Sequence, residues 1–116
     1  EWVKKGARGM PYGVFSALEP DFTDIMDMIV VDDRSQAQPG QLFGALRRHI
    51  DNGKVTNETI YAEMGEIVAG KKPGRTSDDQ TILFWHRGLS LSDIALGHAM
   101  LEKAKKMGIG QKLRYA

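Results

Sequence analysis

The chain has 116 residues, 16 Lys+Arg against 15 Asp+Glu, 41% apolar and 27% charged content, and no cysteine; it reads as one α/β domain, 1–116, without disulfides, cysteine-ligated metals or a cysteine nucleophile. A net charge of +1 argues against nucleic acid as the main partner, because such domains gather a clear positive excess on one face. The longest purely apolar runs, Met28–Val31 and Ile82–Trp85, span four residues each against the ~20 of a membrane-spanning helix, and residues 1–6 lack the apolar stretch of a signal peptide, so no membrane partner and a cytoplasmic location are expected.

In chain order, residues 8–14 place Pro11 between Gly9 and Gly13 and read as a strand end feeding a turn. Glu19-Pro20-Asp21-Phe22 reads as a helix start, with proline in the first turn and acids at the positive dipole end, running about two turns to Met26. Met28–Val31 is a continuous apolar run closed by Asp32-Asp33, the pattern of a strand buried on both faces. Residues 34–40 are polar with Pro39-Gly40 and read as a loop or broken helix, after which Leu42, Leu46 and Ile50 form one helical stripe that stops at Gly53. Thr56 then reads as the N-cap of a helix carrying Ile60, Met64 and Ile67, ended by Gly70.

Residues 71–80 are a polar loop, and residues 81–85 are the second clear strand. The longest helix follows, with Ser90 or Ser92 as N-cap and Gly108 or Gly110 as terminator. Ile94, Leu96, Gly97, Met100, Leu101, Ala104 and Met107 share one broad arc of it, a face that must pack on something. Charge is uneven along the chain. Residues 19–33 hold six acids and no base, while residues 103–116 hold five bases and no acid; these regions either attract each other or are solvated faces.

Three places could carry chemistry. Lys71, Lys72 and Arg75 stand within five residues beside Gly70, Gly74, Thr76 and Ser77, good chemistry for holding a small anion, although the same residues suit a solvated connection. No Gly-Lys-Ser/Thr ending follows, so a nucleotide triphosphatase loop is not indicated. His86-Arg87-Gly88 directly follows a buried strand, where open α/β sheets bind ligands; His86 could touch a cofactor ring or move a proton and Arg87 could hold an anion, or His86 could be a capped structural residue. Asp32-Asp33 either contacts ribose hydroxyls or a substrate amine, or caps the next segment. His49 and His98 have no metal-ligand spacing around them, no metal site is assigned, and no Gly-x-Gly-x-x-Gly occurs.

The run Gly65-Glu66-Ile67-Val68-Ala69-Gly70-Lys71-Lys72-Pro73-Gly74-Arg75-Thr76-Ser77-Asp78-Asp79-Gln80-Thr81-Ile82-Leu83-Phe84, followed by Gly88-Leu89, Asp93-Ile94-Ala95 and Glu102-Lys103-Ala104, resembles the ornithine cyclodeaminase/μ-crystallin family. Weaker agreement extends back through Val30-Val31-Asp32-Asp33 to the first residues, and it covers about the last third of a family member. The resemblance implies NAD(P)-dependent, dimeric relatives that act as cyclodeaminases, alanine dehydrogenases or ketimine reductases. It implies a partial Rossmann-like fold, half of a doubly wound, mostly parallel sheet, with a long C-terminal helix. The family's glycine-rich pyrophosphate loop, its ribose-binding acid and its substrate-binding Arg and Lys lie upstream of the matching region. The alignment puts Gly13 on the loop beside the nicotinamide, and His86, Arg87 and Gly88 on the segment that contacts nicotinamide and substrate, as candidate cofactor-binding residues.

Two departures narrow the chemistry. Phe15 stands where the cyclodeaminases carry their catalytic Asp, and a phenyl ring cannot take a proton. Trp85-His86 stands where the family often has Asp-Ser. The expectation is therefore a truncated NAD(P)-binding-type domain, not catalytic by itself, with no catalytic residue assigned and NAD(P) as the cofactor that the resemblance implies. The alternatives are one subunit of a split NAD(P)-dependent cyclodeaminase or dehydrogenase, and a small anion- or protein-binding module. A half-sheet leaves edges that need cover, so a homo-oligomer or a complementing N-terminal polypeptide is expected as partner.

Overall fold

A computed structural model describes residues 3–12, 19–37 and 46–114. Four strands form one all-parallel sheet in the order β1-β4-β2-β3: β1 is Arg8–Gly9, β2 Met28–Val31, β3 Ala62–Glu63 and β4 Ile82–Trp85. Helices α1 (Arg47–Asp51), α2 (Met64–Val68) and α3 (Ser90–Met107) stand between and after the strands, with 3-10 turns at Pro20–Ile25 and Arg34–Ala37. This is the α/β architecture expected from the sequence.

The central pair β2 and β4 sets the register of everything else. Ile29 lies beside Leu83 and Val31 beside Trp85, and these four share one face because side chains alternate along a strand. That face carries the core, closed over by Ala37, Leu46, Ile50, Val55 and Ile60, with Phe22 and Met26 at its margin. All of β2 is buried, whereas β4 alternates, Leu83 and Trp85 fully buried and Ile82 and Phe84 half-buried. At the start of both strands Asp27 stitches them: its backbone N–H donates to the Thr81 carbonyl at 2.9 Å and its carboxylate accepts the Thr81 N–H at 2.7 Å.

Several elements differ from the sequence reading, each for a packing reason. The segment after Glu19 is a 3-10 turn with proline in its first turn. Leu46 and Ile50 are buried on and beside α1 as expected, and Gly53 ends the turn at φ 70°; Leu42 lies outside the described residues. The helix expected from Thr56 does not form. Thr56 caps a short turn, its hydroxyl accepting the Glu58 N–H at 3.2 Å, and the chain then extends. Tyr61 N–H donates to the Ile29 carbonyl at 2.8 Å, and Ala62 pairs with Val30. Ile60 and Ala62 are buried, so a period of two, not 3.6, governs this stretch.

Helix α2 opens with a reciprocal cap in which the Glu63 N–H donates to the Glu66 carboxylate at 2.9 Å. That hydrogen bond holds the Glu66 carboxyl below its ordinary pKa, burial opposing it and the nearby cations Lys72, Arg34 and Lys71 adding to it. Gly70 ends the segment at φ 70°. Helix α3 begins after Leu89, an extended residue without side-chain capping, so neither Ser90 nor Ser92 is the N-cap; Gly108 ends it at φ 63°, as expected. No residue of α3 is buried, and Ile94 and Leu101 are 70% and 53% exposed. The radius of gyration is 18.0 Å, against about 13 Å for a compact chain of this length.

Candidate functional site

The carboxyl ends of the parallel strands converge on one cleft. A parallel bridge between Tyr12 and His86 prolongs the β1–β4 ladder, Asp32 follows β2, and Met64 follows β3. His86, Asp32 and Met64, together with Gly65 and Val68 of α2, Gly88 and Leu89, and Ser92 and Asp93 of α3, surround a cleft of about 470 Å³. Its lining is apolar on the α2 side and carries two carboxylates, one imidazole and one hydroxyl.

His86 is half-buried and held by rings on two sides: it stacks on Phe84 with centroids 5.1 Å apart and meets Tyr12 at 5.2 Å with a 52° tilt. The turn behind it is fixed by Asp32. One oxygen of that carboxylate accepts both the Arg87 and the Gly88 N–H, each at 3.0 Å, and the other accepts the Asp33 N–H at 2.9 Å. Gly88 adopts φ 92°, and a Cβ there would sit 3.8 Å from the Tyr12 ring, so the need for glycine is conformational and not steric. Asp33 accepts the Ser35 N–H at 2.8 Å and so supports the 3-10 turn at Arg34–Ala37. Both aspartates thus accept hydrogen bonds from backbone, Asp33 supporting the next segment and Asp32 the turn after β4, and Asp32 also lines the cleft.

In the cationic loop, Arg75 and Lys72 both donate to backbone carbonyls. Arg75 donates to the Gly6 carbonyl at 2.9 Å and to the Asp78 carbonyl at 3.0 Å, tying the loop to the N-terminal segment. Lys72 donates to the Tyr61 carbonyl and lies 5.2 Å from that ring's centroid, while Lys71 is exposed. None of the three lines the cleft. Gly13 and Phe15 lie outside the described residues. His49 is buried, its Nε2 3.1 Å from the Glu19 carbonyl, and no group of three His, Asp or Glu arranged for a metal occurs among the described residues. No described helix is long and apolar enough to cross a membrane.

Sequence reasoning did not single out the α2 wall of the cleft, Met64, Gly65 and Val68. The missing signal was β3: once Ile60-Tyr61-Ala62-Glu63 is read as alternating, α2 starts at the carboxyl end of a strand and its first turn must face this cleft.

The profile of the ornithine cyclodeaminase/mu-crystallin family matches residues 1–108. The chain belongs to that family. It is 30% identical to the alanine dehydrogenase of Archaeoglobus fulgidus over 118 aligned residues, which take in 99% of this chain and 36% of the relative. Among solved structures it resembles an archaeal alanine dehydrogenase dimer with bound NAD, at TM-score 0.81 and 28% identity over 99% of this chain and 36% of that one. It also resembles the Thermococcus litoralis Δ1-pyrroline-2-carboxylate reductase in complex with NADH and L-proline, at TM-score 0.79 and 27% identity over 97% and 35%. The chain therefore spans about a third of the length of these relatives. Its sheet is the partial Rossmann-like arrangement that the sequence resemblance implied.

Proposed function

We propose that this chain is the nicotinamide-side part of an NAD(P)-binding dehydrogenase domain and is not catalytic by itself. The observation that carries the reading is the cleft at the carboxyl ends of β2 and β4, lined by His86 and Gly88, the place where open parallel sheets receive ligands. Relatives of this fold are described with bound NAD or NADH, which supports a dinucleotide as the ligand. In the proposal the His86 ring and the turn through Arg87 and Gly88 meet the nicotinamide end, with Gly13 on the neighbouring loop. The pyrophosphate would be held by another segment, since the chain's Lys71, Lys72 and Arg75 stand outside the cleft.

The exposed apolar side chains of α3 favour a further polypeptide as part of the working unit, either a second copy or a complementing chain that carries the rest of the site. Calorimetric titration with NADH and NADPH, followed by amide chemical shifts, tests the reading. Saturable binding with shifts centred on residues 86–88, and no turnover of alanine or proline, is expected. No heat and no shift at millimolar cofactor would overturn it.

A further inference from the structure

We infer that Asp32 is a positioning residue, whose carboxylate sets the His86–Gly88 turn in the geometry the cleft presents to its ligand; the ligand's identity rests on the cofactor reading above, the geometry does not. The backbone N–H groups of Arg87 and Gly88 converge on a single oxygen of Asp32 at 3.0 Å each. Two consecutive amides aimed at one point form a small concave cradle for an anion. Here an aspartate from the end of the neighbouring strand fills it, 55 and 56 residues away in sequence.

Three consequences follow from that occupancy. Both amides already have an acceptor, so this turn meets a ligand in the cleft through the His86 ring and the rest of Gly88, which line it, and not through those N–H groups. The charge on the acceptor makes each bond stronger than a neutral one, which favours the positive φ of Gly88. Because the second oxygen accepts the Asp33 N–H at 2.9 Å, the carboxylate plane is fixed from the β2 side, and the turn after β4 inherits the rigidity of the central strand pair. The imidazole is then placed by the backbone of this turn between Phe84 and Tyr12.

The test uses the whole chain, as wild type, Asp32→Ala and Asp32→Asn, followed by amide and imidazole chemical shifts and by NADH titration. In Asp32→Ala the Arg87 and Gly88 amides and the His86 ring protons are expected to move, and the NADH dissociation constant to rise about tenfold. Added formate, a carboxylate small enough for the vacated cradle, is expected to return both toward wild type, while chloride at equal ionic strength does not. A merely structural role would not give that rescue. If the amides of residues 87 and 88 stay in place in Asp32→Ala, or if formate and chloride act alike, the inference is wrong. Should the wild-type chain bind no NADH, the cofactor reading fails, and the amide shifts with their formate response decide the role of Asp32 alone. If Asp32→Ala does not fold, Asp32→Asn takes its place; its uncharged oxygen is expected to leave the two amides between the wild-type and unbonded positions, and wild-type shifts would refute a role for the charge.

Discussion

Replacing Arg75 with Met separates a structural role for the cationic loop from an anion-binding one. The guanidinium donates to the Gly6 carbonyl at 2.9 Å and to the Asp78 carbonyl at 3.0 Å, while the Gly6 N–H donates to the Asp79 carbonyl at 2.9 Å and the Ile82 N–H to the Ala7 carbonyl at 3.0 Å. These bonds join the N-terminal segment to the loop that leads into β4. A hydrogen bond from a charged donor contributes roughly 1.5–3 kcal/mol when partly buried; Arg75 is half-buried, so solvent takes up part of each loss. Removing these bonds, with a longer one to the Ser77 carbonyl at 3.4 Å, is expected to cost about 2 kcal/mol, a fall in melting temperature of roughly 6–10 °C for a chain of this size. Urea denaturation of Arg75→Met beside Lys71→Ala is the assay, the lysine variant being expected to match wild type because that side chain is exposed. An Arg75→Met chain within about 0.5 kcal/mol of wild type would refute the structural role, and a phosphate-dependent gain in wild-type stability lost in both variants would restore the anion-binding one.

Gly6→Ala is expected to be more damaging: a Cβ there would lie 2.3 Å from the Asp78 carbonyl oxygen, at a φ of 75°, so a loss of about 2–3 kcal/mol is expected in the same denaturation assay. Acid should weaken α2 through Glu66. Its folded pKa is lowered by the Glu63 N–H, so the stabilisation is complete above the ordinary carboxylate range and fades as pH falls through the folded value; the urea midpoint of Glu66→Gln should therefore lose this part of the wild-type slope below about pH 4.5. Covering of the α3 face is read by light scattering at micromolar concentration, where wild type is expected to be an oligomer and the double variant Ile94→Glu/Leu101→Glu a folded monomer whose melting temperature no longer rises with protein concentration; a monomeric wild type would refute it.

The elements legible in the sequence are those whose local pattern and tertiary role agree. Met28–Val31 and Ile82–Trp85 are apolar runs bounded by polar residues, and both are central strands. Gly53, Gly70 and Gly108 stop their segments at positive φ, a preference that belongs to glycine itself. The position of His86-Arg87-Gly88 at the carboxyl end of a strand was also legible, because it needs only the strand and the direction of the chain.

What the sequence alone could not decide is what depends on partners far along the chain. Residues 56–63 carry apolar groups compatible with either period, and only the pairing of β3 with β2, Ala62 beside Val30 and Glu63 beside Val31, ends this stretch in a strand. Lys72 and Arg75 have the composition of an anion site, yet the carbonyls of Tyr61, Gly6 and Asp78 stand within their reach, and those contacts span up to 69 residues. Asp32 could cap or bind by local rules, and the amides that claim it come from the turn after β4, 55 residues on. Local chemistry thus determined which groups the chain owns and where it turns, while the tertiary structure decided which of those groups donate to or accept from distant backbone and which face the cleft.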